Sequence, residues 1–264
     1  MDIKSYNIKS CIYALKMNDK IYSIHLNTSY RYYIMNELSI NLINESSGSI
    51  GFDYEYYLYS SMLSMVEGRN KEFSRTLHDF NDGPLFNLGP LIPVGRGSIN
   101  EKGFSHSAYI FIIRSNRSDI INELSRILLI GDKFESDYFK LKILSMETKD
   151  IKVNSQITTF YSISPIILRD SNRKFIRPDE QQYELILKQS IERRSRKIHD
   201  NSDLSVKSLK LLNFRNKLKH LHGVPIPCSI LKFDIWADNE IIQDIIESGI
   251  GMKNQLGFGM VNMV

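Results

Sequence analysis

A segment near the end of the sequence carries residue types that suit contact with phosphate groups. Four glycines alternate around one lysine there: Gly249, Gly251, Lys253, Gly257 and Gly259. Glycine permits backbone conformations with positive φ, and glycine-rich turns can present backbone N–H groups to an anion. The lysine adds a positive charge at the centre. The pattern predicts a phosphate-contacting loop, and a tight turn between a helix and a strand is the alternative interpretation.

Positive charge is concentrated in one stretch of the chain. The formal net charge is only +4 over 264 residues, yet residues 188–219 hold ten basic and three acidic residues. Its densest part contains four basic side chains: Arg193, Arg194, Arg196 and Lys197. Such a concentration is typical of proteins that bind a polyanion such as a nucleic acid. A solvated basic connector is the alternative.

Histidine is the side chain best suited to proton transfer near neutral pH, because its unperturbed pKa is about 6.5. Of the six histidines, His78 stands at the end of a predicted short helix, just before the turn signal at residues 81–84. It could serve there as an acid or a base, although the helix dipole also favours histidine at a helix C-terminus. His220 and His222 lack further ligands at a suitable spacing, so we expect no metal site.

The remaining composition narrows the class of protein. Cys11 and Cys228 are isolated and form no CxxC pair, which favours a reducing, cytoplasmic location without disulfides. Neither a signal-peptide pattern nor an apolar run of membrane-spanning length is present, so we expect no membrane contact. No sequence feature indicates a cofactor.

The hydrophobic pattern of the first part predicts the element order β-α-β-β-α-β. We expect strands at residues 38–43, 85–94, 104–114 and 138–147, and helices at residues 54–67 and 118–129. Asp53 is the expected cap of the first helix, whose apolar face includes Tyr57. Residues 71–80 form a short additional helix, and residues 95–103 a hairpin loop. This order is that of a ferredoxin-like, or RRM-like, domain.

The second part repeats this order in pattern, though not in residue identity. We expect strands at residues 158–168, 206–214, 229–236 and 256–264, and helices at residues 178–197 and 239–247. The predicted fold class is therefore α+β, with tandem ferredoxin-like domains and antiparallel sheets. We assign residues 37–150 to the first domain and residues 151–264 to the second. Residues 1–36 are an N-terminal extension, which is either a β-hairpin or upstream sequence read through.

Three stretches of the sequence resemble one protein family. Residues 248–261, SGIGMKNQLGFGMV, resemble the C-terminal glycine-rich signature of the CRISPR-associated repeat-processing endoribonucleases, which belong to the RAMP superfamily. Residues 161–170, YSISPIILRD, are similar to the SPI strand that opens the family's second domain. Residues 38–58 resemble its first strand and the entry to its first helix. The resemblance covers about residues 37 to 264.

The resemblance implies metal-independent cleavage of precursor CRISPR RNA within its repeats. The 2′-hydroxyl attacks the adjacent phosphate, and the products carry a 2′,3′-cyclic phosphate and a 5′-hydroxyl. The implied partner is CRISPR repeat RNA, with subunits of an interference complex and a second copy of the chain as further candidates. The alternative function is a catalytically inactive repeat-RNA-binding subunit of such a complex.

The resemblance also assigns candidate catalytic residues, with departures from the family pattern. His78 matches the position of the family's catalytic histidine. Some members add a tyrosine in the first helix and a lysine after the histidine, but Leu63 occupies the tyrosine position and residues 79–84 contain no lysine. Tyr59, one helical turn earlier, is the candidate substitute for the tyrosine. Lys71 or Arg75 is the candidate cation.

The candidate RNA contacts come from two segments. The glycine-rich segment and its lysine stand first, and the basic cluster of residues 193–197 second. The cluster is expected to contact phosphates or base edges, since arginine makes bidentate contacts with both.

Overall fold

A computed structural model describes residues 13–17, 20–24, 36–46, 48–78, 85–153 and 155–264. The predicted turn at residues 81–84 lies outside these ranges. Strands β1 (Tyr13–Met17) and β2 (Lys20–Ile24) pair as an antiparallel hairpin within one compact unit. The chain from residue 36 onward belongs to a second compact unit.

The first domain of this second unit is built on an antiparallel sheet with helices on one side. Its elements are, in order, β3 (Glu37–Asn44), α1 (Glu55–Arg69), α2 (Lys71–His78), β4 (Asn87–Leu88), β5 (Ile92–Asn100), β6 (Gly103–Arg114), α3 (Ser118–Ile127), β7 (Lys133–Ser136) and β8 (Phe139–Lys149). The strand order is β4-β6-β3-β8-β7, and β5 also pairs with β6. Strand β3 therefore lies in the middle, as in a ferredoxin-like sheet.

The second domain repeats this arrangement. Its elements are β9 (Ile157–Ser162), α4 (Tyr183–His199), β10 (Val206–Leu221), β11 (Val224–Ala237), α5 (Asn239–Ser248), a 3₁₀ turn (Asn254–Leu256) and β12 (Val261–Met263). The strand order is β10-β11-β9-β12, with antiparallel neighbours throughout. In both domains the first strand lies in the interior of the sheet, with β3 between β6 and β8, and β9 between β11 and β12. The predicted α+β class with antiparallel ferredoxin-like sheets is confirmed.

Each domain has a core between its helices and its sheet. In the first domain, Leu58, Met62 and Val66 recur at helical spacing on α1 and are buried in a cluster with the inward residues of β3. In the second, Phe160 and Phe233 lie buried in a cluster with residues of α4 and α5. Burying one such side chain stabilises the fold by about 1.5–3 kcal/mol. The two cores therefore fix which face of each sheet carries helices.

Several predicted details are wrong. Asp53 does not cap α1, because its carboxylate accepts a hydrogen bond from the backbone N–H of His220 (3.1 Å). Tyr57 is exposed rather than buried. Residues 95–100 belong to β5 instead of a loop, because a bulge between Val94 and Gly97 lets the pairing with β6 continue.

Element lengths in the second domain also differ from the prediction. The helix predicted from residue 178 begins at Tyr183, and the strand predicted from residue 256 begins at Val261. Strands β10 and β11 are much longer than predicted, since they continue as a two-stranded ribbon to a turn at residues 222–223. Strand β7 was not predicted.

Polar contacts join the domains at several places. The guanidinium of Arg114 pairs with Glu37 (2.8 Å) and donates to the Val261 carbonyl (2.8 Å) and to the Asn262 side chain (2.9 Å). At the tip of the ribbon, Lys219 pairs with Glu55 of α1 at 2.6 Å. These contacts hold β12 against the first domain and the ribbon tip against the start of α1.

Candidate functional site

The glycine-rich segment, residues 249–259, folds into a self-supporting loop between α5 and β12. We call it the glycine loop. Its four glycines and Lys253 all have positive φ. A Cβ atom at Gly259 would overlap the carbonyl oxygen of Ile250, and one at Gly251 would overlap that of Ile167. Glycine is therefore required at these positions both because φ is positive and because the neighbouring backbone leaves no room for a Cβ atom.

Most of the loop is buried, and several of its N–H groups bond within the protein. The N–H of Ile250 donates to the carbonyl of Gly259 (2.9 Å), and that of Gly259 donates to Pro165 (2.8 Å). The N–H of Met252 donates to Ile167 (3.0 Å). These N–H groups are not directed at a ligand. The loop therefore has the structure expected of a tight turn between a helix and a strand. Only Met252 and Lys253 are exposed at its tip.

Two side chains that interact inside the loop fix its shape. Asn254 is fully buried, and its amide donates to the carbonyls of Ile250 and Phe258, both at 3.1 Å. Its side-chain oxygen accepts from the guanidinium of Arg194 on α4 (3.0 Å). Asn254 was not predicted, because an asparagine in a turn is common and its sequence context does not reveal a buried hub.

The guanidinium of Arg194 is used inside the protein. It donates to the carbonyls of Ser248 (3.1 Å) and Gly249 (2.5 Å), and also to that of Gly251. Burial lowers its pKa to about 10, which still leaves the group charged at neutral pH. Arg194 therefore ties α4 to the glycine loop, a different use from the predicted RNA contact.

A cleft of about 940 Å³ lies between the two domains beside the glycine loop. It is lined by the outer face of α4, the tip of the loop and the segment that precedes α3. Its basic lining residues are Arg117, Arg193, Arg194, Lys197 and Lys253. The structure thus brings together predicted residues that are distant in sequence. Arg196 is not among them, since its guanidinium donates to the Leu204 carbonyl at 2.8 Å.

Sequence reasoning missed the contribution of the first domain to this cleft. Asn116 and Arg117 line it from the segment between β6 and α3, and Arg117 also pairs with Asp119 (2.5 Å). Gln255 lines it from the 3₁₀ turn. Arg117 carries no sequence signal of its own, because a single arginine between a strand and a helix is ordinary. Only the packing of the domains reveals it.

The candidate catalytic residues on α2 share one exposed face. Lys71, Arg75 and His78 follow the i, i+4, i+7 spacing of a helix, and all three are exposed. The opposite face of α2 is buried through Ser74 and Leu77. Helix α2 therefore presents two cations and one imidazole to solvent together.

Tyr59 does not join that face. Its ring lies in the core of the first domain, 6.4 Å from that of Phe86. Its buried hydroxyl has no hydrogen-bond partner among the residues that the structure describes. Burial raises its pKa to about 12, so the hydroxyl keeps its proton at neutral pH. Leu63, at the family's tyrosine position, is buried as well.

The described ranges of the chain also bear on two other classes of site. They contain no group of three or more His, Cys, Asp or Glu side chains that could hold a metal ion. They also contain no helix that is both long and apolar enough to cross a membrane.

Comparison with known proteins shows similarity to one family. Residues 146–263 match the model described as "CRISPR associated protein Cas6, C-terminal". The CRISPR-associated endoribonuclease Cas6 1 of Methanocaldococcus jannaschii is 22% identical over 240 residues, which span 85% of this chain and 91% of that protein. The match to the family model contains both the SPI strand and the glycine loop.

Solved structures agree with the fold. A CRISPR associated protein Cas6 gives a TM-score of 0.73 at 21% identity, over 87% of this chain and 99% of its own. A Cas6-related protein from Pyrococcus furiosus gives 0.75 at 20% identity, over 87% of this chain and 98% of its own. A RAMP protein described as binding different RNA substrates gives 0.75 at 20% identity, over 87% and 99%. The family model and the curated relative together agree with what the sequence motifs indicated: residues 146–263 match the Cas6 C-terminal family, and most of the chain is similar to a Cas6 endoribonuclease.

Proposed function

We propose that this chain is an endoribonuclease that cleaves precursor CRISPR RNA within its repeats. The observation that carries the proposal is the basic cleft beside the glycine loop, in a chain similar to Cas6 proteins. Its lining places Arg193, Lys197 and Lys253 together with Arg117 of the other domain. Such a cleft suits a phosphate backbone, because neutralised phosphates release their counterions. A homologue named an endoribonuclease supports the reaction class.

The proposed chemistry is transesterification within the RNA. A base takes the proton of the 2′-hydroxyl, and the oxygen forms a bond to phosphorus while the bond to the 5′-oxygen breaks. An acid returns a proton to that 5′-oxygen, so the products carry a 2′,3′-cyclic phosphate and a 5′-hydroxyl. The nucleophile belongs to the substrate, so the reaction needs only proton transfer and charge stabilisation from the protein. We propose that it proceeds without a metal ion.

We assign the proton transfer to His78 and the charge stabilisation to Lys71 and Arg75. All three lie on the exposed face of α2. Imidazole can act as acid or base near neutral pH. The two cations at i−7 and i−3 stabilise the added negative charge of the phosphorane. Because Tyr59 is buried, we give it a packing role and no contact with the phosphate.

The RNA path follows the cleft. We propose that Arg193, Lys197 and Lys253 contact phosphates, while Arg194 and the glycines at positions 249, 251, 257 and 259 keep the loop in shape. Arg196 contributes only long-range charge. We further propose a cytoplasmic location, in keeping with the two isolated cysteines. Binding to interference-complex subunits and formation of a homodimer stay predictions.

Incubation of the protein with repeat RNA in EDTA tests the proposal. We expect one cut in each repeat, a cyclic phosphate on the 5′ product, and loss of the cut in His78→Ala with binding retained. Thr76→Ala, an exposed change on the same helix, is the matched control and should cleave normally. A 2′-deoxy substitution at the nucleotide before the cut should stop cleavage and spare binding.

A second function is favoured by the burial of both Tyr59 and Leu63, because neither position then offers a tyrosine hydroxyl to the exposed face of α2. In that case the chain is a repeat-RNA-binding subunit without activity. Tight binding of repeat RNA that stays intact, with and without added divalent metal, would establish this function and reject the first.

A further inference from the structure

The sheet of the second domain has one face without helices. Phe160, Phe233 and Ile235 point toward α4 and α5 and are buried. Side chains alternate along a strand, so the residues between them point to the opposite face. Six residues of the two central strands share that face: Ile157, Thr159 and Tyr161 on β9, and Lys232, Asp234 and Trp236 on β11. We call it the open face.

Two exposed aromatic rings stand on the open face. Trp236 is the only tryptophan of the chain, and it is 44% exposed. Tyr161 is 39% exposed. Tryptophan is usually well buried in a monomeric fold, so an exposed one on a sheet needs a reason. Since Trp236 pairs with Ile157 in the β9–β11 register, the two rings are four residues apart along β9, about 13 Å.

Positive charge surrounds these rings. Lys232 is directly opposite Tyr161, and Lys210 and Arg215 extend the face onto β10. None of these three cations forms an ion pair within the part of the chain that the structure describes. The ammonium group of Lys207 lies 5.5 Å from the centre of the Trp236 ring.

The open face also offers polar groups between the rings. Asp234 is its one carboxylate on β11, and it accepts a hydrogen bond from the Thr159 hydroxyl (2.6 Å). The amide of Asn262 on β12 lies 3.4 Å from the Tyr161 hydroxyl, and its oxygen accepts from Arg114. Tyr161 is thereby linked to the buried contact that joins the domains.

We infer that the open face binds a single-stranded segment of RNA by stacking bases on Tyr161 and Trp236. Exposed aromatic rings among unpaired cations match the two needs of a single strand, which are a stacking surface for bases and a counter-charge for phosphates. The face lies on the side of the sheet opposite α4, and so apart from the cleft. The inference rests on the proposed function, because it supplies a contact for RNA that extends beyond the cut site.

Tryptophan fluorescence provides a direct test, since all of it comes from Trp236. We expect titration with an unstructured oligouridine of about ten nucleotides to quench this fluorescence in a saturable way. Base stacking on the indole ring is the physical cause of the quenching. Unchanged fluorescence at an oligouridine concentration that saturates binding by anisotropy would overturn the inference, and a face that docks a protein instead would give this result.

Measuring oligouridine binding by variants distinguishes two cases: bases that stack on the rings, and RNA that binds near the rings without contacting them. Trp236→Ala and Tyr161→Ala should each weaken binding of labelled oligouridine about tenfold, while Trp236→Phe should keep most of it. Tyr138→Ala, an exposed tyrosine of the first domain (52%), is the matched control and should bind normally. Quenching without any loss of binding in the two alanine variants would also refute the inference.

The test is independent of cleavage. If oligouridine does not bind the open face but repeat RNA is still cut, the proposed function survives and the inference does not. If the open face binds oligouridine but repeat RNA stays intact, the inference survives and the proposed activity does not.

Discussion

The glycine loop and the exposed face of α2 carry the two halves of the proposed function, and the protein holds them in opposite ways. The loop is buried apart from its tip, with Asn254 and Arg194 binding its carbonyls. The face of α2 has no such enclosure, since Lys71, Arg75 and His78 all point to solvent. The loop is held in shape by contacts within the protein, whereas we propose that the exposed face of α2 gains its contacts from the substrate.

This difference explains why a sequence motif identifies the glycine loop, whereas no comparable motif identifies the exposed face of α2. Every glycine of the loop has positive φ and a close neighbour, so a side chain at any of these positions would strain the backbone. On α2, packing constrains Phe73, Ser74 and Leu77, but it does not constrain the residues of the exposed face. Chemistry alone constrains them, and other side chains can supply the same chemistry from neighbouring positions. A set of catalytic residues that departs from the family pattern is the expected result.

The largest predicted effect concerns α2. His78→Ala should reduce the single-turnover cleavage rate of repeat RNA about 10²- to 10⁴-fold, because general acid–base catalysis contributes that much. Stability and RNA affinity should not change, since His78 is exposed. Cleavage and binding are measured on the same preparation. A loss of affinity that matches the loss of rate would place His78 in the binding surface and remove the contrast with the loop.

Substitution in the loop should act on stability. Gly259→Ala should lower the free energy of unfolding by about 3 kcal/mol, because the new Cβ overlaps a backbone carbonyl at a position with positive φ. Gly68→Ala on α1 is the control. A Cβ there meets no atom within 4 Å, so the change should stabilise slightly. Urea unfolding of both variants measures the difference, and equal effects would refute the packing argument.

Two neighbouring arginines on α4 should differ in the property they affect. Arg194→Ala should lower the free energy of unfolding by about 2 kcal/mol, because buried carbonyls lose their donor. Arg193→Ala should leave stability unchanged, and it should weaken RNA binding and reduce the magnitude of the log–log salt slope by about 0.7, as expected for one phosphate contact of a single strand. The measurements are urea unfolding and RNA binding at several salt concentrations. A salt-slope change for both variants alike would contradict the structural role of Arg194.

The smallest predicted effect is a pH dependence of stability. Burial raises the pKa of Glu247, although Gln243 and Asn36 donate hydrogen bonds to its carboxylate. The folded state therefore binds this proton more tightly than the unfolded state does. The free energy of unfolding should fall as pH rises from the ordinary value of 4.5 through the raised pKa. Glu247→Gln should lessen this fall, and unfolding across that range compares the two proteins. An identical pH dependence would reject the prediction.

Much of the fold follows from the sequence. Alternation in β3 and β8 and helical spacing in α1 are local properties, and together they gave the correct domain type. The long ribbon of β10 and β11 did not follow, because most residues of its outer half are exposed and lack a simple alternating pattern, and the buried ones, such as Leu221 and Ile226, pack in a small separate cluster. Asp53 looked like a helix cap, yet its partner, His220, lies 167 residues away.

The residues of the candidate site also differ in whether the sequence could predict them. Lys253 and the loop glycines could be predicted because they are close in sequence and geometrically constrained. Arg117 and Gln255 could not, since they enter the cleft only through the packing of two domains. Arg194 was assigned to RNA because a basic cluster does not reveal which of its members the protein itself uses.

The pairing of Arg114 with Glu37, Val261 and Asn262 has a consequence for where the RNA is cut. It locks the end of the second domain to the middle strands of the first, so the separation between the loop tip and α2 is set before any RNA arrives. On the proposed function, RNA held at Lys253 would meet His78 after a fixed length of chain. The separation of the two sites would then set the position of cleavage. Weakening the Arg114 contact should distribute cleavage over neighbouring phosphates rather than abolish it.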